Sequence, residues 1–409
     1  MPDTLPGSDA AFEADHLPAF TPPAAPTAVL ILDDGAVFYG HGFGAETTGV
    51  GEVCFNTSMT GYQEIMTDPS YAGQLITFTF PHIGNTGANK DDIETAAPFA
   101  LGMIVRNDVT SPSNWRTTAP LQTWLAENNL PGIAGIDTRA LTRHIRDNGA
   151  PKGVLCHRRD GAFDIDSLKD MVASWPGLAG MDLATEVSTA QAHGWEGGLF
   201  DIAENTFTAG HTDASAALKV VAVDYGCKQN ILRCLSDAGC TVEVVPATTP
   251  AADILARQPD GIFLANGPGD PAATAAYAKD EITTLLDANI PIFGICIGHQ
   301  LLALAFGGKT VKMARGHRGA NHPVRDLATG KIEITSQNHG FKVEPDSLPD
   351  EVEVSHVSLF DGSVEGLRHK QKPVFCVQYH PESSPGPHDS RYLFTRFADM
   401  IKAHKARTG

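Results

Sequence analysis

Basic residues are scarce in this sequence, with 30 Lys and Arg against 48 Asp and Glu, which gives a net charge of −18 at pH 7. The first basic residue is Lys90, and only acidic residues carry charge before it. A chain this acidic repels phosphate backbones, so we expect no nucleic-acid partner. Uninterrupted apolar runs of about 18 residues are also missing, so no membrane-spanning helix is predicted.

Residue patterns typical of metal and nucleotide sites are missing as well. The seven cysteines are odd in number and scattered, which favours reduced thiols over a disulfide framework. Residues 307–310 resemble the end of a phosphate-binding loop, but Ala303 stands where its first glycine belongs. We therefore expect no metal and no organic cofactor in this chain. Because the N-terminus carries neither a basic nor an apolar targeting segment, we expect a cytoplasmic protein.

The 409 residues are sufficient for about two domains with additional segments. Residues 1–27 contain six prolines and no regular period, so they are predicted to be a disordered tail. Residues 28–187 mix short β-rich runs with helical stretches, which predicts a mixed α+β domain. Residues 188–217 show weak periodicity and are interpreted as a linker, and residues 218–409 form the second predicted domain.

The second domain alternates predicted strands with predicted helices. Apolar strands are expected at residues 219–224, 241–245, 261–265 and 290–295. Strands that read as continuous apolar runs are typical of a parallel sheet with helices on both faces. The predicted fold class is therefore α/β, with a mixed α+β domain followed by a mostly parallel, helix-covered open sheet.

The strongest chemical signal lies at residues 294–300, Gly-Ile-Cys-Ile-Gly-His-Gln, where an apolar strand runs into a predicted helix. Glycines on both sides of Cys296 permit the strained turn of a nucleophile elbow. The helix N-terminus favours a thiolate there, and its backbone N–H groups can bind an oxyanion. Most cysteines are inert core residues, but the order of strand, turn and helix favours a nucleophile at this position.

A thiol nucleophile requires a base, and the base requires a group that orients it. His380 follows the apolar strand 374–377, and Glu382 lies two residues further on, where an extended segment points both side chains to the same side. Because open α/β sheets bind ligands at the carboxyl ends of their strands, we expect His380 and Cys296 to meet in one crevice.

Two further segments contain groups that can bind a polar substrate. Residues 266–271, Asn-Gly-Pro-Gly-Asp-Pro, follow a predicted strand and expose backbone N–H groups of the kind that bind an oxyanion or carboxylate. Residues 336–341, Ser-Gln-Asn-His-Gly-Phe, are predicted to be a polar loop. Each of these segments could equally be an ordinary turn when considered alone.

The 266–271, 294–300 and His380-Pro381-Glu382 motifs together resemble those of class I glutamine amidotransferases, over about residues 218–405. Upstream, residues 55–64, 67–71 and 81–85 are similar to the small chain of carbamoyl-phosphate synthases, as are residues 224–230. The combined resemblance covers the chain from about Ala28 onward.

The resemblance implies that Cys296 attacks the side-chain amide of glutamine, that His380 transfers protons and that Glu382 orients His380. It also implies which residues hold the glutamine: Ser70, Gly267, Gly269, Ile297, Gln300, Asn338, Gly340 and Phe341. Most family members have Leu at the position of Ile297, which contributes chiefly backbone, so we expect little consequence.

In the family that this chain resembles, the ammonia released from glutamine is used by a second protein, which implies a partner for this chain. By resemblance the partner is the large synthase chain, in a heterodimer or a higher oligomer of heterodimers. The large chain binds ATP and Mg²⁺ and makes carbamoyl phosphate from bicarbonate for arginine and pyrimidine biosynthesis. The implied enzyme is a ligase in which this chain performs the glutaminase half-reaction.

Two alternatives remain open. One is an amidotransferase subunit of another synthetase, such as that of anthranilate or GMP synthesis, although those glutaminase units lack the signature of residues 56–71. The other is a catalytically silent subunit that binds glutamine or serves as a scaffold, against which the intact Cys, His and Glu set argues.

Overall fold

A computed structural model describes residues 25–211 and 218–408 of the chain. Residues 1–24 of the predicted tail and residues 212–217 of the predicted linker lie outside the described residues. Within the described ranges, no helix is both long enough and apolar enough to cross a bilayer.

Seven strands of the described N-terminal region close into a barrel: β1 (Ala28–Leu32), β2 (Val37–Gly44), β3 (Thr48–Asn56), β4 (Gln74–Phe78), β5 (Gly102–Ile104), β6 (Pro131–Ala134) and β7 (Lys152–His157). Their order is β1-β2-β6-β5-β4-β3-β7, with parallel pairing from β3 to β6 and antiparallel pairing elsewhere. The accompanying helices are α1 (Tyr62–Thr67), α2 (Leu121–Glu127), α3 (Thr138–Asn148), α4 (Ile165–Ser174) and α5 (Ala184–Val187).

Strand β1 is apolar at every position because both of its faces are covered. Leu30 packs with Leu155 of β7 in one cluster, while Val29 packs with Leu168 and Val172 of α4 in another. The continuous apolar run that predicted this strand therefore reflects burial on two sides.

The predicted linker contains three two-residue strands within its described part: β8 (His193–Gly194), β9 (Phe200–Asp201) and β10 (Thr206–Phe207). Strands β9 and β10 pair with each other, and β8 lies at one edge of the sheet of the second domain. The division into domains and linker stays a prediction.

The second domain alternates strands and helices up to α9: β11 (Leu218–Asp224), α6 (Gln229–Asp237), β12 (Cys240–Pro246), α7 (Ala251–Ala256), β13 (Gly261–Leu264), α8 (Pro271–Asp287), β14 (Ile292–Ile295) and α9 (Ile297–Ala305). It continues with β15 (Thr310–Asp326), β16 (Ile332–Val343), β17 (Val352–Ser358), β18 (Val364–His369), β19 (Val374–Val377) and α10 (Tyr392–Thr408). The sheet order is β16-β15-β17-β18-β19-β14-β13-β11-β12-β8.

The central strands β12, β11, β13, β14 and β19 pair in parallel, as the apolar runs predicted. Helices α7, α8 and α9 pack on one face of these strands, and α6 and α10 pack on the other. The remaining strands join in antiparallel pairing, so the antiparallel part is larger than the sequence indicated.

One local prediction is wrong. Residues 336–341 were expected to form a polar loop, but they lie inside strand β16. The segment extends because it pairs with β15, including His339 opposite His317 and Phe341 opposite Lys312. Its polar side chains are buried in hydrogen-bonded networks, which is why polarity alone suggested a loop.

Candidate active site

Cys296 lies at the junction of β14 and α9 in a strained backbone conformation, with φ of 55° and ψ of −108°. A Cβ atom at Gly294 would lie 2.9 Å from the backbone of Gly298, and one at Gly298 would lie 2.3 Å from the carbonyl oxygen of Leu264. Side chains are therefore excluded on both sides of the cysteine. The local geometry is that of the predicted nucleophile elbow.

His380 and Glu382 follow the end of β19, the strand that pairs with β14. The backbone N–H of His380 donates to the carbonyl oxygen of Ser336 on β16 at 2.9 Å, which fixes the segment against the antiparallel part of the sheet. Nδ1 of His380 lies 2.7 Å from Oε1 of Glu382. Since both side chains are buried, this contact holds the ring in one orientation and leaves Nε2 for chemistry.

The ammonium of Lys228 is a third charged group beside His380 and Glu382. Its ammonium donates to Oε1 of Glu382 at 2.9 Å and to the carbonyl oxygen of Ser383. Burial opposes ionisation of Glu382, but the charges of Lys228 and His380 lower the pKa of Glu382 to about 2. Glu382 is therefore ionised at neutral pH and pairs with both Lys228 and His380.

The charge state of His380 follows from the same contacts. Burial opposes the imidazolium, but the charge of Glu382, the nearby Cys296 thiol and the hydrogen bond to Glu382 raise the pKa of His380 to about 10. Within residues 25–211 and 218–408, Nε2 of His380 has no hydrogen bond of regular geometry, although the Cys296 thiol is close enough to act on its pKa. Contacts of this kind often tighten only when substrate binds.

A pocket between the two domains opens at Cys296. Its lining includes most of the residues predicted to hold the substrate, which come from four separate parts of the chain: Ser70, Gly267, Gly269, Gln300, Asn338, Gly340 and Phe341. A Cβ atom at Gly267 would lie 2.0 Å from the carbonyl oxygen of Tyr225, so this turn accepts only glycine. The structure thus brings these residues to one place, while their roles stay predictions.

Three of the predicted residues do not line the pocket. The side chains of His380 and Glu382 are buried in the network described above and are not exposed in the pocket. The side chain of Ile297 packs in the hydrophobic core with Leu301, which leaves only the backbone N–H of Ile297 at the N-terminus of α9. This placement is consistent with a backbone contribution and explains why Ile can replace Leu.

Comparison with known proteins gives the family. One family model, glutamine amidotransferase class-I, matches residues 221–400, and a second, carbamoyl-phosphate synthase small chain, CPSase domain, matches residues 30–155. The carbamoyl phosphate synthase small chain of Ruegeria pomeroyi is 57% identical over 390 residues, which cover 95% of this chain and 99% of that protein. The chain belongs to the carbamoyl phosphate synthase small chain family.

A second relative gives the same result: the carbamoyl phosphate synthase small chain of Bradyrhizobium diazoefficiens is 55% identical over 396 residues, 96% of this chain and 99% of that protein. Both family models fall where the corresponding motifs were found. The family and the fold class predicted from the sequence are therefore confirmed.

In this member of the family, the pocket includes polar residues that were not predicted as site residues: His339 of the 336–341 motif, and Glu52, Gln74, Lys312 and Arg318, which lie outside every predicted motif. Glu52 of the barrel lies 2.6 Å from Nζ of Lys312 and 3.4 Å from Nη2 of Arg318, and it accepts a hydrogen bond from Gln74 at 3.1 Å. The ion pairs join the two domains directly beside the pocket. No sequence signal could have identified them, because the partners lie more than 250 positions apart.

Asn266 is a further residue whose role was not predicted, and it connects three parts of the site. Its Oδ1 accepts from the backbone N–H of Lys228 at 3.1 Å, and its Nδ2 donates to Oγ of Ser70 at 2.8 Å. The 266–271 and 224–230 motifs contain these residues, so their proximity was signalled, although no role for either side chain was predicted. Asn266 is completely buried and thus sets the position of Ser70 relative to the turn that carries Gly267.

Proposed function

We propose that this chain is the glutaminase subunit of a glutamine-hydrolysing carbamoyl-phosphate synthase. The sulfur of Cys296 attacks the side-chain amide carbon of L-glutamine and forms a tetrahedral oxyanion. In the proposed reaction, backbone N–H groups of the turn 266–269 and of Ile297 stabilise the oxyanion. Each such donor contributes on the order of 3 kcal/mol to the stabilisation of an acyl-transfer transition state.

Collapse of the oxyanion breaks the carbon–nitrogen bond and leaves a γ-glutamyl thioester on Cys296. The His380 imidazolium supplies the proton that the departing amine requires, so ammonia leaves as a neutral molecule. Neutral His380 then takes a proton from water, and the resulting hydroxide attacks the thioester. The carbon–sulfur bond breaks, which releases glutamate and frees the sulfur of Cys296. Glu382 keeps Nδ1 of His380 engaged throughout, so that Nε2 carries each proton.

The ammonia is passed to the large chain of the synthase, which uses ATP, Mg²⁺ and bicarbonate to make carbamoyl phosphate for arginine and pyrimidine biosynthesis. Free ammonia becomes largely ammonium at neutral pH, so the handover requires contact between the chains. We propose a heterodimer, or an oligomer of heterodimers, in the cytoplasm. No metal or organic cofactor takes part in the glutaminase step.

The observation that carries the proposal is the proximity of Cys296, His380 and Glu382 to one another beside a pocket that also contains Ser70. Ser70 belongs to the barrel, and the barrel carries the small-chain family match. The participation of the barrel in the pocket argues against the amidotransferase subunit of another synthetase. The intact proton-transfer groups argue against a silent scaffold.

The test is reconstitution with large chains from related organisms. We expect carbamoyl phosphate when the purified chain, a large chain, ATP, Mg²⁺, bicarbonate and glutamine are combined. With the Cys296→Ala variant we expect carbamoyl phosphate only when ammonium replaces glutamine. Glutamate release without carbamoyl phosphate from any large chain would favour another synthetase, and absence of glutamate release would favour the scaffold.

A further inference from the structure

Three buried residues on three strands of one sheet form a cluster that the proposed reaction does not use. His317 lies on β15, His339 on β16 and Glu365 on β18, and one ligand atom of each lies within 4.8 Å of the other two. Along β16, His339 alternates with Asn338 and Gly340, and it also contributes to the lining of the pocket at Cys296.

The distance between the candidate ligand atoms of His317 and Glu365 is that found in a tetrahedral metal site. Nδ1 of His317 lies 3.4 Å from Oε1 of Glu365. Zinc bonds of about 2.0–2.1 Å place two tetrahedral ligands roughly 3.3 Å apart. Within the described part of the chain, this nitrogen makes no hydrogen bond of regular geometry, although the His317 side chain is only 10% exposed. This nitrogen therefore faces a buried carboxylate at ion-pair distance without a regular hydrogen bond, and a bound cation could bridge the two atoms.

The opposite nitrogen of each histidine is held in the way that metal ligands require. Nε2 of His317 lies 3.2 Å from a carboxylate oxygen of Asp361, and Nδ1 of His339 lies 2.8 Å from the carbonyl oxygen of Phe341. Histidines that bind metals donate their second N–H to a carboxylate or backbone carbonyl, which fixes the tautomer. The nitrogens left with a lone pair are then Nδ1 of His317 and Nε2 of His339.

That tautomer leaves an unresolved contact at His339. Its Nε2 lies 2.9 Å from Oε1 of Gln337, whose amide nitrogen is already engaged with Glu365 at 2.9 Å. Two acceptors therefore face each other. A cation near Nε2 and Oε1 would satisfy both atoms.

We propose that His317, His339 and Glu365 form a binding site for a divalent transition metal of the zinc class, with Oε1 of Gln337 or water in the fourth position. A cleft of about 480 Å³ lined by His317, His322 and Asp361 gives access from the surface. The bound metal ties β15, β16 and β18 together, and β16 is the strand that contributes Asn338 and Phe341 to the glutamine pocket. His339 also lines that pocket, but none of the three ligands is a member of the Cys296, His380 and Glu382 set.

The experiment uses the full chain with Cys296→Ala, so that the active-site thiol cannot bind the probe. After treatment with a chelator, the protein is titrated with Co²⁺, whose visible spectrum reports coordination geometry. We expect one equivalent to bind with the strong absorption of a tetrahedral site and to be displaced by Zn²⁺. In the Glu365→Gln and His317→Ala variants, we expect the affinity to fall about 100-fold or more.

His356→Gln is the matched control, since His356 is a buried histidine of β17 outside the cluster, and it should bind Co²⁺ as the parent does. X-ray absorption spectroscopy of the zinc-loaded parent should show only nitrogen and oxygen ligands, a result that does not depend on the folding of any variant. The proposal is overturned if no stoichiometric metal binds, if sulfur is a ligand, or if both cluster variants bind as tightly as the parent.

Discussion

The two walls of the pocket are built in different ways. Cys296 and His380 follow neighbouring parallel strands, so the sheet itself brings them together at one edge. The opposite wall is a seam between domains, where Ser70 and Glu52 of the barrel contact Asn266 and Arg318 of the second domain. The pairing of two strands thus positions the groups proposed to react. The shape of the pocket on the other side depends on polar contacts between the two domains.

The largest predicted effect lies on the sheet side of this comparison. Cys296→Ala removes the nucleophile, so glutamate release from glutamine should fall by about 10⁴-fold or more. The matched control is Cys156→Ala, which removes another buried thiol, from β7, and should retain near-normal turnover. Similar glutaminase rates in the two variants would show that the elbow is not the reaction centre.

Glu382→Gln should lower the glutaminase kcat by about 10³–10⁴-fold, because the ring of His380 loses its charged orienting partner. Removal of the carboxylate also lowers the pKa of His380, since the charge of Glu382 is a main cause of its elevation. The basic limb of the pH–rate profile of the residual activity should therefore move to lower pH. An unchanged profile would mean that Glu382 does not act on His380.

The same pair makes stability depend on pH in a defined window. The pKa of His380 is raised from 6.5 to about 10, so its contribution is complete below pH 6.5 and is lost as pH rises through 10. The pKa of Glu382 is lowered from 4.5 to about 2, so its contribution is complete above pH 4.5 and is lost as pH falls through 2. The difference in the free energy of unfolding between wild type and Glu382→Gln should therefore be largest between pH 4.5 and pH 6.5. Chemical denaturation at a series of pH values measures this difference.

On the seam side, Glu52→Gln should reduce the free energy of unfolding by about 3 kcal/mol, because the buried guanidinium of Arg318 loses its carboxylate partner. Urea denaturation measures this loss. The exposed pair of Glu46 and Arg159 provides the control, since Glu46→Gln should change stability by less than about 0.5 kcal/mol. Equal losses in both variants would remove the distinction between the seam and an ordinary surface.

The smallest effect is expected for Ser70→Ala. The amide of Asn266 loses the acceptor that holds the barrel wall in place, at a cost of roughly 1–2 kcal/mol. The KM for glutamine should rise about tenfold, with kcat changed much less, as measured by initial-rate kinetics. Ser167→Ala on the exposed side of α4 should change neither. A fall in kcat without a change in KM would assign Ser70 to the chemistry instead of to substrate fit.

The sheet side was predictable from the sequence because its information is local. Glycines on both sides of Cys296, and a carboxylate two residues after His380, are each contained in fewer than ten positions. The parallel strands were visible as apolar runs because helices bury both of their faces. Family resemblance added Ser70, which no local pattern would have related to Cys296.

The seam was not predictable, because it depends on long-range pairing of single polar residues. Glu52 lies in a strand whose pattern indicates only burial, and Arg318 lies in β15, a strand that was not predicted. The error at residues 336–341 has the same origin: buried polar side chains that pair across strands look, in the sequence alone, like solvent-exposed ones. A polar segment is identified as a strand only once its partners are known.

The proposed reaction requires a covalent bond between glutamine and Cys296, and mass spectrometry of acid-quenched reactions tests this directly. During turnover of isotope-labelled glutamine, we expect one labelled γ-glutamyl group per chain, located on the peptide that contains Cys296 and absent from the Cys296→Ala variant. A label on a different residue, or glutamate release by Cys296→Ala at the wild-type rate, would contradict it.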